Sequence, residues 1–438
     1  MTTYDLVVVG GGPSGVAGAL SAALAGLRVA LLDAGPRLGG QYFRHSASPQ
    51  DLHHGLDRFL RQADALGERA DVLTGHQVWA VSREDEGFAV HALAGETPVT
   101  VRGTRLLIAT GAHDRPLPFP GWDLPGVLTA GGAQALLKGN NVRAGRRVVV
   151  SGTGPFLLPV AASLAADVVG VFEANRGLGL ARHPVLAAAK TGEAAGYGFA
   201  LARHRVPYRT RHAVVAAHGD DRLTHVTVAK LDRDWNVLST RTVECDTLAT
   251  GYGFVPQLDL LTQLGCATGH DADGSPIVTV DAAQCTSVPG VYAAGEPTGV
   301  GGAVLAEVEG RIAGLSLSGV AVPGLLLRRR ARLRAFAAAL HEAYPVRPGW
   351  QSWLRDDTLV CRCEEVPLSR VREAQELGAT EARSIKLLAR PGMGWCQGRM
   401  CGYAVSCLAG ERPQAPRRPI AQPITLGSLE RINDDESR

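Results

Sequence analysis

Several signatures of common protein classes are missing from this chain of 438 residues. No apolar run approaches the roughly 18 residues that a membrane-spanning helix needs. The chain opens with MTTYDLVVVGGG, which has neither the basic start nor the cleavage site of a secretory leader. The net charge of +3 is too small to indicate a nucleic-acid partner. We therefore expect a cytoplasmic protein, with peripheral contact to the inner membrane as the alternative.

Motifs for several catalytic chemistries are missing as well. No C-x-x-C pair occurs among the eight cysteines, so the thiol–disulphide exchange of disulphide reductases is not expected. The sequence has no G-x-S-x-G elbow and no H-E-x-x-H helix. The adjacent histidines His53 and His54 are better explained as a solvated pair than as a metal site.

Glycine, by contrast, is abundant. The sequence holds 53 glycines, with 45% hydrophobic and 20% charged residues, a composition typical of a globular protein with sizeable cores. At roughly 150 residues per domain, the length predicts about three domains. In the reducing cytosol, clustered cysteines indicate metal or redox chemistry before disulphides.

The first glycine motif follows the first predicted strand. Leu6–Val9 is a continuous apolar run, as expected for a parallel strand buried on both faces. A G-x-G-x-x-G motif, a helix and a second strand that ends at Asp33 come next. Such glycines allow a tight turn and close approach of a pyrophosphate to the helix N-terminus, and Asp33 would accept hydrogen bonds from a ribose. The expected contacts in the loop are Gly10, Gly12, Pro13, Ser14 and Gly15.

A second, altered motif lies in the middle of the chain. A strand, Gly152-x-Gly154, a helix and a second strand ending at Glu173 repeat the pattern, but Leu157 replaces the third glycine. A leucine at this place pushes helix and strand apart and narrows the approach to a pyrophosphate. We interpret the segment as a retained scaffold or a site for an altered ligand. A site for NAD(P)H or another adenine nucleotide is the alternative.

Four cysteines near the C-terminus form two close pairs, Cys361-x-Cys363 and Cys396-x4-Cys401. A disulphide within the first pair would be strained, because extended residues i and i+2 lie too far apart. Zinc could take four thiolates, but it favours pairs separated by two to four residues. A [2Fe–2S] cluster also takes four thiolates, and the glycine-rich second pair would let the backbone supply N–H donors around it. We favour the cluster, with zinc and structural thiols as alternatives.

Three further segments are RLGGQY (37–42), RLLIATGAHDRP (105–116) and TSVPGVYAAGEPTGVGG (286–302). They resemble those that close the FAD site of two-dinucleotide-domain flavoprotein reductases. In that family an acid in the third segment touches the ribityl chain, and the helix after it points its N-terminus at the flavin pyrimidine. Here Glu296 stands where aspartate is usual, and glutamate reaches further. The corresponding residues are Gly40 and Gln41, Thr110 and Gly111, and Gly295 and Glu296.

The cysteine pairs narrow the resemblance. Together with LPFPGWDLPGVLTAGG, the segments CRCEEV and RPGMGWCQGRMC make the chain similar to the flavin and iron–sulphur component (the A or alpha subunit) of heteromeric opine oxidases. The B subunit of hydrogen cyanide synthase and subunits of hydroxyproline and proline dehydrogenases share this pattern. The implied fold class is α/β: a two-dinucleotide-binding-domain (Rossmann-like) flavoprotein with a small C-terminal [2Fe–2S] domain.

The resemblance also implies cofactors and partners. FAD and a [2Fe–2S] cluster would bind this chain, and an additional FMN would lie at a subunit interface. A second FAD-dependent subunit would oxidise the C–N bond of an amino acid or opine and pass its electrons here, and a small third subunit would complete some assemblies. No catalytic acid or base is expected in this chain. The alternatives are a standalone NAD(P)H-dependent FAD oxidoreductase with a fused [2Fe–2S] domain, and a zinc-stabilised scaffold.

The same reasoning divides the chain into six segments. An arginine-rich stretch in the fourth, residues 328–334, is expected to be a solvated helix face, with a subunit or lipid contact as the alternative. The expected segments are the N-terminal half of an FAD-binding domain (1–115), an inserted second nucleotide-binding-like domain (116–244), the C-terminal half of the FAD-binding domain (245–325), a linker helix (326–355), a [2Fe–2S]-binding domain (356–412) and a polar tail (413–438).

Overall fold

The computed structural model describes residues 3–47, 55–164, 167–176 and 191–436, with only the backbone described for 191–195 and 432–436. The predicted histidine pair, His53 and His54, lies outside the described residues. Two parallel five-stranded sheets form the main body. Within the described ranges, no helix combines the length and the apolar character needed to cross a bilayer.

The first sheet, with its helices, forms what we call the first nucleotide fold. The predicted strand Leu6–Val9 lies at its centre and is buried along its whole length. The helices Pro13–Leu24 and Ala303–Leu317 pack together so closely that a Cβ on Gly310 would lie 2.0 Å from the backbone oxygen of Ser14. The strands, in spatial order, are Val291–Ala293, Leu106–Ile108, Leu6–Val9, Val29–Asp33 and Asp71–Thr74.

A four-stranded sheet packs against the first nucleotide fold. Val7 and Ile108 of the parallel sheet share one apolar core with Phe88 and Val90 of the added sheet. The helix Leu56–Gly67 packs against the N-terminal helix. The strands of the added sheet, in spatial order, are Thr3–Tyr4, Thr97–Gly103, Gly87–Ala94 and His76–Glu84.

The second parallel sheet and its helices form the second nucleotide fold. Its strands, in spatial order, are Val127–Thr129, Thr247–Gly251, Val148–Gly152, Val168–Glu173 and Tyr208–Thr210. The helices described for this fold are Ala130–Asn140, Leu157–Ser163 and Thr191–Arg203. An antiparallel sheet is attached to it, with strands His212–His218, His225–Leu231 and Val237–Glu244.

One predicted boundary differs from the structure. We expected the chain to return to the FAD-binding domain at residue 245, but the strand Thr247–Gly251 pairs with Val148–Gly152 and Val127–Thr129. The second nucleotide fold therefore extends to Gly251. A short, fully buried strand has the same sequence pattern in either sheet, so only the pairing reveals its place.

The chain crosses between the two nucleotide folds through a short antiparallel ribbon, Ala112–Asp114 with Phe254–Pro256. The return path then adds the helix Asp259–Gln263, the hairpin Thr268–His270 with Pro276–Val278, and the 3-10 turn Glu296–Thr298.

The C-terminal quarter begins with the linker helix Gly324–Ala343 and the 3-10 turn Pro348–Trp353. We call residues 354–411 the cysteine lobe. Val360 and Cys361 of the lobe lie in one apolar core with Ala174, which follows a strand of the second nucleotide fold, and with Trp235 of the attached antiparallel sheet. The elements of the lobe are strands Leu359–Cys361 and Val366–Pro367 and helices Leu368–Glu376, Ala382–Ala389 and Gly402–Leu408.

Two arginines of the basic stretch are not on a solvated face. Arg330 and Arg334 of the linker helix bind the carboxylate of Glu309, which is completely buried in the first nucleotide fold. The expectation of a solvated face fails at these two positions, because every third or fourth residue of the helix faces Ala303–Leu317. Arg328, Arg329 and Arg332 are exposed, as expected.

The polar tail is also packed rather than free along most of its length. We call residues 412–436 the C-terminal segment, and it ends in the helix Leu426–Glu436. The backbone N–H of Ala421 donates to the carbonyl of Trp79 at 2.7 Å, and Arg431 donates to Glu96 at 3.0 Å. Composition alone carried no signal for this packing onto the first nucleotide fold.

Candidate flavin and metal sites

A cleft of about 1710 Å³ runs from the first glycine loop to the second. Two of the predicted cofactor residues, Gly15 and Gly295, lie buried behind its wall. The other ten line it: Gly10, Gly12, Pro13, Ser14, Asp33, Gly40, Gln41, Thr110, Gly111 and Glu296. The structure therefore brings together residues from five separate segments of the sequence.

The first glycine loop is closed toward the protein and open toward the cleft. A Cβ on Gly15 would lie 1.8 Å from the carbonyl oxygen of Gly10, so this close packing requires glycine. A Cβ on Gly12 would meet only the Cα of Gly40, at 3.8 Å. Gly12 also caps the helix without a side-chain hydrogen bond, which leaves the first helical N–H groups for a ligand. This is the local geometry of an anion site at a helix N-terminus.

Asp33 lies at the end of the second strand, as predicted, and its carboxylate borders the cleft. Its oxygens accept hydrogen bonds from the backbone N–H of Gly11 at 2.6 Å and of Gly35 at 2.7 Å. A carboxylate has about four acceptor positions, so these bonds leave capacity for a ribose hydroxyl.

Glu296 folds back onto the turn that follows it. Its carboxylate accepts hydrogen bonds from the N–H groups of Gly301 at 3.1 Å and Gly302 at 3.0 Å. Burial raises the pKa of this carboxyl to about 7, although the two N–H groups oppose the shift. The extra length of glutamate thus orders the glycine turn that begins the helix Ala303–Leu317, whose N-terminus borders the cleft.

The second glycine loop differs from the first in where its acid lies. Glu173 is fully buried and accepts hydrogen bonds from Thr153 at 2.7 Å, from the N–H of Gly154 at 2.9 Å and from the N–H of Asn175 at 2.8 Å. Unlike Asp33, it does not border the cleft, so a ribose hydroxyl cannot reach it. Thr153 and Gly154 do border the cleft, while Leu157 is sealed in the core.

The four predicted metal ligands come together in the cysteine lobe. The thiols of Cys361 and Cys401 contact each other, as do those of Cys363 and Cys396. Cys361 and Cys401 are buried, Cys396 is half-buried and Cys363 is exposed. The thiol of Cys401 and nearby N–H groups, including that of Gly392 at 3.5 Å, lower the pKa of Cys361 to about 5. The neighbouring thiol of Cys361, together with burial, raises the pKa of Cys401.

The cysteines form two pairs rather than one compact group. Around a single zinc ion, with Zn–S of about 2.3 Å, tetrahedral thiolates would lie about 3.8 Å from one another. Among the described residues, the one set of three ligand-type side chains with donor atoms mutually within 4.8 Å consists of Asp271, Asp273 and His341. The cysteine arrangement therefore suits two metal ions, each held by one pair, better than one zinc ion.

Residues that join the cysteine lobe to the cleft were missed by the sequence reasoning. Arg399, between Cys396 and Cys401, donates to Asp259, which borders the cleft. Arg115 is buried, pairs with Asp273 and lies 4.5 Å from the ring centre of Tyr403 in the lobe. Single charged residues in distant segments have no spacing pattern, so no sequence signal could have indicated these contacts.

Two nucleotide folds that share one cleft define a class of dinucleotide-binding oxidoreductases. In a comparison with known families, residues 4–310 match the family described as pyridine nucleotide-disulphide oxidoreductase. The chain belongs to this family and is a flavoprotein oxidoreductase. Its sequence has no C-x-x-C pair.

Curated relatives support the narrower resemblance to components of heteromeric oxidases. The chain is 35% identical to hydrogen cyanide synthase subunit HcnB of Pseudomonas aeruginosa, over 98% of this chain and 99% of the relative. It is 32% identical to the A subunit of opine oxidase from Rhizobium meliloti (strain 1021), over 98% and 99%. The alpha subunit of sarcosine oxidase from Corynebacterium sp. (strain P-1) is 33% identical over 59% of this chain and 27% of the relative. The resemblance to this group is confirmed.

Solved structures show the same fold. The L-proline dehydrogenase from P. horikoshii has a TM-score of 0.73 at 21% identity, covering 98% of this chain and 79% of that chain. The T. acidophilum thioredoxin reductase has a TM-score of 0.55 at 23% identity, covering 73% and 99%. The Rossmann-like part of the predicted fold class is thereby confirmed.

Proposed function

We propose that this chain is the FAD- and [2Fe–2S]-containing electron-transfer subunit of a heteromeric amino-acid or opine dehydrogenase. The observation that carries the proposal is the placement of two cysteine pairs in a lobe that contacts the wall of a flavin-type cleft. A partner flavoprotein would oxidise the C–N bond, and this chain would pass the electrons on.

The cleft fits FAD. The first glycine loop offers free helical N–H groups and an open face at Gly12 for the pyrophosphate. Asp33 retains acceptor positions for a ribose, and Gly40 with Gln41 would cover the phosphates from the opposite side. Thr110, Gly111 and Glu296 would line the flavin end, and Gly295 would support it from behind the wall. Bound FAD would supply two-electron chemistry to a protein whose own residues serve to bind and orient it.

The cysteine lobe fits a [2Fe–2S] cluster. Cys361 with Cys401 would hold one iron, and Cys363 with Cys396 the other, as the two contacting pairs suggest. The N–H of Gly392 already points at the sulphur of Cys361, in the manner of the backbone donors that surround such clusters. The cluster would supply one-electron chemistry.

The proposed partner and the class of substrate are inferred from the names of the relatives. Those named after opine and sarcosine are themselves subunits, and both compounds carry a C–N bond. We place the substrate on the partner and propose no catalytic acid or base in this chain. The FMN implied by the resemblance would lie at the subunit interface, and we assign no residue of this chain to it.

The alternative is a standalone NAD(P)H oxidoreductase. Thr153 and Gly154 do border the cleft, but the sealed carboxylate of Glu173 cannot hold the ribose of a nicotinamide dinucleotide in the usual way. We therefore retain the interpretation of the second nucleotide fold as a scaffold or a site for an altered ligand.

Co-expression with the partner flavoprotein, followed by dye reduction with a panel of amino acids and opines, tests the proposal. We expect dye reduction with at least one amine substrate in the complex and none with this chain alone. NADH added to the purified chain serves as the second arm. Rapid bleaching of the flavin by NADH alone would favour the standalone enzyme and contradict the proposal.

A further inference from the structure

Three separate segments of the sequence meet at one buried carboxylate. Asp259 begins the short helix after the crossing ribbon, borders the cleft and has a side chain only 5% exposed. Its two oxygens bind different arginines. Arg399 of the cysteine lobe donates to Oδ2 at 3.3 Å, and Arg418 of the C-terminal segment donates to Oδ1 at 2.7 Å.

Arg399 is built into the cysteine loop. It lies between two predicted metal ligands, and one guanidinium nitrogen, Nη1, contacts the carbonyl of Cys396 at 3.4 Å and the side chain of Gln397 at 2.9 Å. The other, Nη2, reaches Asp259 and also the carbonyl of Ala421 at 2.5 Å. A single planar group thus ties the cysteine loop to the cleft wall and to the C-terminal segment.

Arg418 is fixed by its surroundings in the same way. The preceding and following parts of the C-terminal segment are held to the first nucleotide fold: His270 contacts the carbonyl of Pro413 at 3.0 Å, and Gln263 donates to that of Pro419 at 3.1 Å. Beyond it, Ala421 is 2% exposed, and Ala421 and Gln422 border the cleft. The segment therefore forms part of the wall to which the cysteine lobe is attached.

We propose that Asp259 is a latch: shared by Arg399 and Arg418, it fixes the cysteine loop and the C-terminal segment against the flavin cleft. These three are positioning residues, not catalytic ones. The inference rests on the proposed function for its consequence, which is that the latch sets how fast electrons pass between the cleft and the cysteine-bound iron. Its structural part, the ordering of the cysteine loop by an arginine in a different segment, does not depend on any cofactor.

The physical reason is the cost of separating buried charges. A carboxylate with two guanidinium partners is held by charge-assisted hydrogen bonds, which are stronger and more directional than neutral ones. Loss of Arg418 leaves Asp259 with one partner and releases the segment that also supplies the Ala421 carbonyl to Arg399. The cysteine loop then loses an anchor although no residue of the lobe has changed.

The test compares Arg418→Gln with Arg417→Gln, a matched control because Arg417 is the exposed neighbour. Hydrogen–deuterium exchange of the full chain is the first readout. In R418Q we expect exchange in residues 396–402 and 416–422 to rise roughly tenfold to hundredfold, the factor for one lost charged hydrogen bond. R417Q should match the wild type, and R418K should recover part of the protection.

The second readout is the rate at which the cysteine-bound iron is reduced after the flavin is reduced photochemically, followed by absorbance and EPR. In R418Q, with FAD and iron content unchanged, we expect this rate to fall by about tenfold to a hundredfold, the upper value being the loss caused by a misplacement of about 1 Å. Partial recovery of this rate in R418K would show that the slower reduction in R418Q comes from the lost contact with Asp259 and not from a general loss of stability.

The outcomes distinguish the two proposals. Unchanged exchange in residues 396–402 of R418Q would overturn the latch, whatever the cofactors. Faster exchange with an unaltered electron-transfer rate would overturn its role in positioning. Absence of iron from the wild type would refute the proposed function, while the exchange experiment would still decide whether the latch exists.

Discussion

Replacement of Arg334 by alanine should loosen the linker helix from the first nucleotide fold. The carboxylate of Glu309, completely buried, accepts hydrogen bonds from the Nε and Nη2 atoms of Arg334, each at 2.8 Å, and from Nε of Arg330 at 3.2 Å. It also accepts from the N–H of Gly295 at 3.1 Å and from Thr298 at 3.0 Å. This cluster therefore connects the linker helix directly to the turn beside the predicted flavin.

The magnitude follows from what the substitution leaves behind. Arg334→Ala removes two hydrogen bonds to a buried carboxylate, a third to the carbonyl of Gly299 at 2.8 Å and a fourth to the hydroxyl of Thr298. Removing one partner of a buried ion pair costs about 3–5 kcal/mol. Because Arg330 and the two neutral donors remain, we expect the lower end, about 3 kcal/mol. At about 2–4 °C per kcal/mol for a large domain, the first thermal transition should fall by about 6–12 °C.

The assay is thermal and urea unfolding of the purified chain, with Arg332→Ala as the control. Arg332 lies in the same helix, carries the same charge and is exposed, so its removal should change the stability by less than about 0.5 kcal/mol. Equal small effects of R334A and R332A would refute the reasoning, because they would mean that the whole basic stretch is solvated.

Three further predictions concern the candidate sites. Because burial raises the pKa of Glu296 from 4.5 to about 7, the folded chain holds a proton that the unfolded chain has lost, and stability should fall as the pH rises from 4.5 to 7. From pH 5 to pH 8, the free energy of unfolding measured in urea should therefore fall by about 3 kcal/mol more in the wild type than in Glu296→Gln. An equal fall in the two proteins would contradict this prediction. Gly15→Ala and Gly12→Ala should both lose FAD, measured by absorbance, but only G15A should destabilise the apoprotein, since its Cβ would lie 1.8 Å from a backbone oxygen. Cys401→Ser should lose iron and keep FAD, whereas Cys407→Ser should keep both; iron retained in C401S would be inconsistent with the site.

The first glycine motif and the two strands beside it could be predicted almost to the residue, because their signals are local. A buried strand, three glycines, a helix and an acid occur within one short stretch, and each has a backbone reason to be there. Leu6–Val9 and the end of the second strand at Asp33 agree with the structure. The cysteine pairs were equally visible, because the residue type that matters is rare and closely spaced.

Features that depend on distant pairing could not be predicted in this way. The strand Thr247–Gly251 belongs to the second nucleotide fold only because of the neighbours with which it pairs. Neither residue type nor local sequence distinguishes Arg334 and Arg418 from the exposed arginines beside them. Their role comes only from the buried acids that they contact. Glu296 and Asp33 were identified as site residues, but their backbone partners at Gly301 and Gly11 became visible only in three dimensions.

Whether the chain carries a cluster is decided by analysis of iron, acid-labile sulphide, zinc and flavin in the chain purified without exposure to oxygen. We predict two irons and two labile sulphides per chain, the content of one [2Fe–2S] cluster, together with one FAD. Stoichiometric zinc without iron or sulphide would contradict it, because the cysteine pairs would then hold a structural ion and the chain would have no one-electron centre.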